Sequence, residues 1–254
     1  TWMLTGEACR EAVSNALQIG YRHIDTAQAY DNEEEVGHAL AGSGIPRKDL
    51  FVTTKVWWQN LQRGEAIQST EESLRRLKLD YVDMLLIHWP NPELPLDEPL
   101  EAFEQLQKDG KARHLGVSNF PPDLFLQAIE HAPIVCNQVE YHPFLGQDEL
   151  LELCRQRRLL LTAYAPLARG DVLTDRVLQD IGRRHEKSAV QVALRWLLQQ
   201  DRVSAIPKAA RPEHRRSNFD VFDFELSSEE MERIHGLDRG QRLIDPEFAP
   251  EWSR

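Results

Sequence analysis

Four polar side chains that can hold or move a proton stand at, or just after, predicted strand ends. Asp25 ends the short run Tyr21–Asp25, Tyr30 lies in the loop that follows, and Lys55 and His88 lie at the ends of two later apolar runs. An ammonium in apolar surroundings needs a counter-charge, which Asp25 can supply. The same ammonium is expected to lower the pKa of the Tyr30 phenol. Such a phenol, with an imidazole beside it, can protonate a carbonyl oxygen.

Protonation of a carbonyl oxygen completes a reduction only when a hydride reaches the carbon. None of the four side chains can supply a hydride, so the set predicts a nicotinamide cofactor. Each residue also has a plainer interpretation: Asp25 as a loop cap, Tyr30 as a packed aromatic, Lys55 as a rim residue and His88 as a core histidine. A single hypothesis that explains all four positions is favoured over four separate ones.

The elements that would position these residues alternate between strand and helix. Strands are predicted at Tyr21–Asp25, Leu50–Val56, Tyr81–Trp89, within Ala112–Phe120, and at Ile134–Pro143, Leu159–Pro166 and Val203–Lys208. Helices are predicted at Thr5–Leu17, Glu33–Ala41, Glu65–Leu77, Leu96–Asp109, Leu124–His131, Asp148–Arg157, Asp175–His185, Ala189–Gln200, Arg211–Asn218 and Leu226–Leu237. Thr5 and Ser188 are the expected N-caps of two of these helices.

Seven alternating units predict a parallel sheet. With one further strand at a truncated start, they predict a (β/α)8 TIM barrel over residues 1–254 as a single domain, with an extra C-terminal helix. An open doubly wound sheet is the other option, but no strand is followed by the glycine fingerprint of a dinucleotide fold. In a barrel the carboxyl ends of all strands share one face, which would bring the four polar residues together.

Composition excludes several classes of partner. The net charge of −11 at pH 7 argues against nucleic acid and anionic membrane surfaces as partners. Three scattered cysteines favour a reducing cytoplasm and argue against a disulfide framework or a metal site. No apolar run is long enough to span a membrane. Without heptads or a long apolar stripe, the chain is expected to be a monomer that binds a small carbonyl compound.

Seven motifs, in order, carry a resemblance to a known family. GYRHIDTAQAYDNEEEVG, TTKVW, LLIHWP, LGVSNF, NQVEYHP, AYAPL and IPK resemble the aldo-keto reductases over essentially the whole chain. The resemblance implies a (β/α)8 barrel that binds NADPH without a Rossmann fold. It also implies a catalytic tetrad of Asp25, Tyr30, Lys55 and His88, with Tyr30 as the proton donor.

The same resemblance implies a cofactor site. Ser118, Asn119 and Gln138 match positions that hydrogen-bond the nicotinamide carboxamide, and Tyr164 matches the aromatic residue that stacks on its ring. Lys208 matches the residue at the 2′-phosphate and pyrophosphate end. The full expected set is Thr1, Trp2, Asp25, Ser118, Asn119, Gln138, Tyr164, Ala165, Pro166, Leu167, Ile206, Lys208, Ala209, Arg211, His214 and Asn218.

Two positions depart from the family pattern. Ala165 follows the stacking tyrosine where the family often has serine, which removes a hydroxyl. His214 stands where the family usually has an arginine for the 2′-phosphate, and histidine is mostly neutral at pH 7. Lys208 and Arg211, helped by Arg215, should still favour NADPH. The hypothesis is a relaxed preference, with NADH usable as well.

The expected substrate site combines aromatic side chains with the proton-handling residues. Trp2, Trp57, Trp89 and Phe120 should line an apolar mouth beside Tyr30 and His88, whereas Trp58 is explained equally well as surface cover. The short tail RLIDPEFAPEWSR resembles the bacterial branch of 2,5-diketo-D-gluconate and methylglyoxal reductases. That branch implies small polar carbonyl substrates.

Two alternatives remain at this level. One is a non-catalytic barrel that binds NADP(H) and acts through a protein partner, which the intact tetrad argues against. The other is a barrel isomerase that uses Lys55 and His88 for proton transfer. It leaves the SNF, NQ and IPK motifs unexplained.

Overall fold

The computed structural model describes residues 1–252, in which strands and helices alternate. The strands are β1 (His23–Asp25), β2 (Phe51–Val56), β3 (Val82–Ile87), β4 (Ala112–Ser118), β5 (Ile134–Glu140), β6 (Leu160–Tyr164) and β7 (Val203–Ala205). The helices are α1 (Gly6–Ile19), α2 (Glu33–Gly42), α3 (Arg63–Leu77), α4 (Asp97–Lys108), α5 (Pro122–His131), α6 (Asp148–Arg157), α7 (Arg176–His185), α8 (Ala189–Leu198), α9 (Pro212–Phe219) and α10 (Ser228–His235).

The strands hydrogen-bond in chain order, from β1 to β7. Parallel pairing joins β1 to β2, β2 to β3, β3 to β4 and β6 to β7, with Asp25 opposite Thr53 and Lys55 opposite Leu86. Neighbouring parallel strands in chain order, each connected by a helix, are the pattern of the predicted barrel class. The further strand expected before β1 does not occur among the described residues.

Contacts divide the described chain into two compact units. The first comprises Thr1–Asn137, Ala210–Pro212 and the segment that begins at Phe248, and it contains β1 to β4. The second comprises Gln138–Ala209 and Glu213–Glu247, and it contains β6 and β7. One domain over residues 1–254 therefore stays a prediction, and its last two residues lie outside the described part of the chain.

The core of the first unit is built on β3, whose six residues are all buried. Gly37 of α2 permits close packing against α3, because a β-carbon there would lie 2.6 Å from the carbonyl oxygens of Arg76 and Leu77. Any larger residue would push the helices apart. The close approach places the Arg76 guanidinium beside the buried carboxylate of Glu33, with Nε 2.9 Å from Oε2.

The predicted elements are confirmed, with shifts at their ends. Capping boxes start α8 at Ser188 and α10 at Ser227. Thr5 is the N-cap residue of α1, as predicted, although its side chain makes no capping hydrogen bond. Short 3₁₀ turns at Gln28–Tyr30 and Trp58–Asn60 were not predicted. No helix within residues 1–252 is long and apolar enough to cross a membrane.

Candidate active site

The first unit brings the four predicted proton-handling residues together. Asp25 is the last residue of β1, Lys55 lies in β2, His88 directly follows β3, and Tyr30 ends the 3₁₀ turn after β1. Because these strands are parallel neighbours, their carboxyl ends lie side by side. Three separate stretches of the chain therefore supply the four residues, and a series of contacts joins them: Asp25 to Lys55, Lys55 to Tyr30 and Tyr30 to His88.

Lys55 is the centre of this group, and its side chain is fully buried. Its ammonium Nζ lies 2.5 Å from Asp25 Oδ1, 3.0 Å from the carbonyl oxygen of Thr26 and 3.2 Å from the Tyr30 hydroxyl. Three acceptors match the three donors of an ammonium. Burial disfavours the charge, but Asp25 and Tyr30 together outweigh it, so the pKa of Lys55 is raised and the ammonium stays charged.

Tyr30 differs from the sequence-based expectation. Burial raises the pKa of its phenol above the usual value, and the nearby Lys55 only partly opposes this effect. The expectation of a lowered pKa is therefore wrong, because desolvation of the phenolate exceeds its attraction to the ammonium. The consequence suits a proton donor, since the hydroxyl carries its proton throughout the neutral range.

His88 lies against two aromatic rings. Its ring centroid is 5.5 Å from that of Tyr30 and 5.2 Å from that of Trp57, both in edge-to-face geometry. Burial, and then the charge of Lys55, lower the pKa of His88 well below its usual value, against the opposing pull of Asp25. The imidazole is therefore neutral at pH 7, with one nitrogen that can donate a hydrogen bond and one that can accept.

A second layer of polar residues supports this group. Thr26 Oγ1 donates to Asn32 Oδ1 at 2.6 Å, and the amide of Asn32 donates to the carbonyl oxygens of Thr1 (3.1 Å) and Leu4 (2.8 Å). Thr54 Oγ1 donates to Glu33 Oε1 at 2.5 Å. Sequence reasoning did not select Asn32 or Glu33. Their position at the start of α2, two and three residues after Tyr30, is the sequence feature that could have identified them.

The C-terminal segment contributes an aromatic residue that sequence reasoning also missed. The ring centroid of Phe248 lies 5.5 Å from Trp57, 5.2 Å from Trp58 and 5.5 Å from Trp89. Trp58 is stacked on this ring and half-buried, so it belongs to the cluster. The only sequence signal for Phe248 was a phenylalanine in a tail without periodicity.

An apolar cavity of about 320 Å³ adjoins this aromatic cluster within the first unit. Phe248 and Phe120 are among its lining residues, together with Ile87, Leu124 and Pro250. Phe120 is itself fully buried, whereas Trp2 is exposed. Trp57 and Trp89 both contact Phe248, and Trp57 also contacts His88. Two of the four aromatic residues expected at the mouth of the site therefore lie in this cluster.

The expected nicotinamide contacts of the first unit lie at the end of β4. Asn119 has a left-handed backbone, with φ of 64°. Its amide Nδ2 donates to the carbonyl oxygen of His88 at 2.9 Å and contacts Ser118 Oγ at 3.1 Å. These bonds fix the two residues to the segment that carries the imidazole.

The second unit holds most of the other expected cofactor residues. Gln138 is buried in β5, and Tyr164 is a half-buried aromatic at the end of β6. Ala165 follows it with φ of 46°. Pro166, Leu167, Ile206 and Ala209 lie in the segments that follow β6 and β7.

Cationic and polar side chains surround the start of α9. Lys208, Arg211 and His214 are exposed. Arg215 is buried and donates from Nη1 to the carbonyl oxygen of Ala209 at 2.9 Å. The guanidinium that was expected to assist at the phosphate is therefore hydrogen-bonded to the loop backbone. Asn218 is buried on the same helix.

Comparison with known proteins identifies the family. Residues 1–239 match the model of the aldo/keto reductase family. The chain is 43% identical over 245 residues to an aldo-keto reductase of Mycolicibacterium smegmatis, covering 95% of this chain and 89% of that one. It is 39% identical over 258 residues to the methylglyoxal reductase DkgB of Escherichia coli O157:H7, covering 99% and 96%. The chain belongs to the aldo/keto reductase family.

Solved structures agree with this assignment. A structure described as a candidate 2,5-diketo-D-gluconic acid reductase B superposes with a TM-score of 0.97 at 44% identity, covering 98% of this chain and 90% of the other. A Bombyx mori aldo-keto reductase in complex with NADP superposes at 0.88 with 32% identity, covering 95% and 87%. The fold is therefore the predicted (β/α)8 barrel class.

Family and fold together define the biochemical class, an oxidoreductase that reduces aldehydes and ketones with NADPH. These relatives give no support to the non-catalytic alternative. Each unit has residue types that can bind such a cofactor: the first has a carboxamide directly after β4, and the second has a carboxamide in β5, an aromatic ring at the end of β6 and a lysine after β7.

Proposed function

We propose that this chain reduces small polar carbonyl compounds, methylglyoxal and keto-sugar acids among them, to alcohols. The Escherichia coli relative is named a methylglyoxal reductase, and the solved structure with the TM-score of 0.97 is described as a candidate 2,5-diketo-D-gluconic acid reductase B. The observation that carries the proposal is the chain of contacts from Asp25 through Lys55 to the Tyr30 hydroxyl. The Tyr30 hydroxyl is the protonated acid, and the Lys55 ammonium in contact with it can stabilise the phenolate that remains after proton transfer.

In this proposal, NADPH supplies the hydride when bound, and the tetrad handles the proton. Tyr30 donates its hydroxyl proton to the carbonyl oxygen, and the Lys55 ammonium stabilises the phenolate that remains. Asp25 keeps Lys55 charged in its buried position. His88, as a neutral imidazole, donates a hydrogen bond that orients the same oxygen.

The remaining assignments of the proposal concern binding. Ser118, Asn119 and Gln138 bind the nicotinamide carboxamide, Tyr164 stacks on the ring, and Lys208 pairs with the phosphates. Trp57 and Trp89 border the substrate. The chain acts as a monomer. It works in the cytoplasm, and its scattered, buried free cysteines support that location. Size-exclusion chromatography with light scattering tests the oligomeric state.

The test is the loss of NADPH absorbance with a panel of methylglyoxal, glyceraldehyde, keto-sugar acids and quinones. The panel also includes a bulky apolar ketone, and the expected result is turnover with the small polar carbonyls and higher kcat/KM for them than for that ketone. If NADPH binds but no member of the panel is reduced, the proposal is wrong.

A further inference from the structure

The carboxamide of Gln28 joins the turn that carries Tyr30 to the loop that carries Trp57. Gln28 and Tyr30 are the first and last residues of one 3₁₀ turn. Gln28 Oε1 accepts a hydrogen bond from the backbone nitrogen of Trp57 at 3.0 Å and a longer one from Asn60 Nδ2 at 3.4 Å. Its Nε2 donates to Ser73 Oγ of α3 at 3.2 Å. One side chain thus connects three segments of the first unit.

The orientation of this carboxamide follows from its partners. The Trp57 backbone nitrogen can only donate, so the atom that faces it is the oxygen. The amide nitrogen then faces Ser73, whose own hydroxyl donates to the carbonyl oxygen of Ser69 at 3.1 Å and leaves a lone pair to accept. Each group in the network has a consistent role, so removal of the carboxamide leaves the Trp57 N–H without this acceptor.

The two segments that Gln28 joins meet again at His88. Tyr30 comes from the turn and Trp57 from the loop, and both rings contact the imidazole edge-to-face, at 5.5 Å and 5.2 Å. Trp57 has one further aromatic neighbour in the C-terminal segment, Phe248. A shift of the loop would therefore move one wall of the His88 site relative to the hydroxyl of Tyr30.

We infer that Gln28 is a positioning residue for the carbonyl substrate: its carboxamide fixes the Trp57 loop relative to Tyr30, and so holds the Trp57 wall against which the substrate binds beside Tyr30 and His88. The inference rests on the proposed function for its kinetic consequence, while the structural connection is independent of it. Gln28 itself touches no reacting atom in this account.

The experiment compares two substitutions that differ in one property. Gln28→Met keeps the length of the side chain and removes all hydrogen bonding. Gln28→Glu keeps an acceptor for the Trp57 N–H, and the Ser73 hydroxyl can turn from the carbonyl oxygen of Ser69 to donate to its second oxygen. Gln156→Met, the same substitution on an exposed residue of α6, serves as the control. Ser73→Ala removes only the anchor on α3 and provides a milder variant should Gln28→Met fail to fold.

For Gln28→Met the expected result is a rise in KM for methylglyoxal of about tenfold, with kcat changed less than about threefold and the NADPH Kd unchanged. The backbone amide of Trp57 should exchange faster with solvent, which a loss of general stability would not confine to that site. Gln28→Glu should stay close to the parent in both measurements, and Ser73→Ala should show a smaller rise in KM.

Two results would overturn the inference: Gln28→Met with kinetics equal to those of the parent, or Gln28→Glu as impaired as Gln28→Met. For Ser73→Ala, an unchanged KM together with an unchanged Trp57 amide would count against it as well. Failure of the proposed function looks different, since the parent chain itself would then reduce no carbonyl in the panel.

Discussion

The ammonium of Lys55 lies 3.2 Å from the hydroxyl of Tyr30, yet the pKa of that phenol is raised. The two facts are compatible because burial acts on the phenolate more strongly than the neighbouring charge does. Lys55 therefore does not create a phenolate in the resting protein. In the proposed reaction, Lys55 lowers the free energy of the phenolate that forms when Tyr30 gives up its proton.

Lys55→Met should destabilise the protein as well as inactivate it. The substitution leaves the buried carboxylate of Asp25 without its cation, and breaking a buried pair in this way costs about 3–5 kcal/mol. Chemical denaturation measures the change. The double variant Asp25→Asn with Lys55→Met removes both charges and should regain a large part of the loss. Equal destabilisation of the single and double variants would show that the unpaired charge is not the cause.

Two histidines with a lowered pKa, His88 and His23, predict how stability depends on pH. The pKa of His88 is lowered by burial and by Lys55, and that of His23 is lowered mainly by burial. Below about pH 6.5 the unfolded chain binds protons that the folded chain does not, so the free energy of unfolding falls as pH falls. Each histidine contributes a slope of up to about 1.4 kcal/mol per pH unit.

His88→Gln should reduce this slope when the free energy of unfolding is measured by urea titration between about pH 4.5 and pH 7. Replacement of an exposed histidine, His38 of α2, serves as the control for the loss of a histidine as such. A slope in His88→Gln as steep as that of the parent would mean that His88 is protonated equally in both states.

Phe248 should stabilise the C-terminal segment through its three tryptophan contacts. Because the ring is half-buried, Phe248→Ala is expected to cost about 1–2 kcal/mol, less than a fully buried phenylalanine. Water would then reach Trp57, Trp58 and Trp89, and tryptophan emission should shift to longer wavelength. Phe222→Ala, at a site with a 65% exposed ring, should change stability by less than about 0.5 kcal/mol. Unchanged emission in Phe248→Ala would contradict the packing described.

Cofactor choice provides a test of His214. This residue is exposed and stands where the family usually has arginine, so the parent chain should use NADH, with a preference for NADPH below about 10⁴-fold in kcat/KM. His214→Arg adds a charge for the 2′-phosphate and should raise that preference about three- to tenfold. His38→Arg is the matched control. A strict preference in the parent would show that Lys208 and Arg211 suffice.

The fold and the grouping of Asp25, Tyr30, Lys55 and His88 are predictable because both depend on local pattern. Apolar runs that end in Lys55 and His88 identify strand ends, and parallel strands bring such ends together. Strand β7 ends earlier than predicted, at Ala205 instead of Lys208, in a segment where Pro207 has no N–H to donate. The alternation of elements predicts a parallel sheet, and the missing glycine fingerprint favours the (β/α)8 class over an open doubly wound sheet.

Properties that depend on burial, or on contacts between residues far apart in the sequence, are not predictable from motifs. The sign of the Tyr30 pKa shift requires the balance between burial and charge, which no motif contains. Gln28 and Glu33 act through partners about 30 and 20 residues away, so their roles follow only from the three-dimensional contacts. Phe248 has no periodic neighbours, and its importance follows from where the tail lies.

The most direct test of the account is the turnover of Tyr30→Phe with methylglyoxal, measured together with its Kd for NADPH. Because the phenol donates the proton and the phenyl ring preserves the packing against His88, kcat should fall by about 10³-fold or more while the Kd changes by less than about twofold. Turnover within about tenfold of the parent would contradict the role of Tyr30 as the acid, as would a marked loss of NADPH affinity.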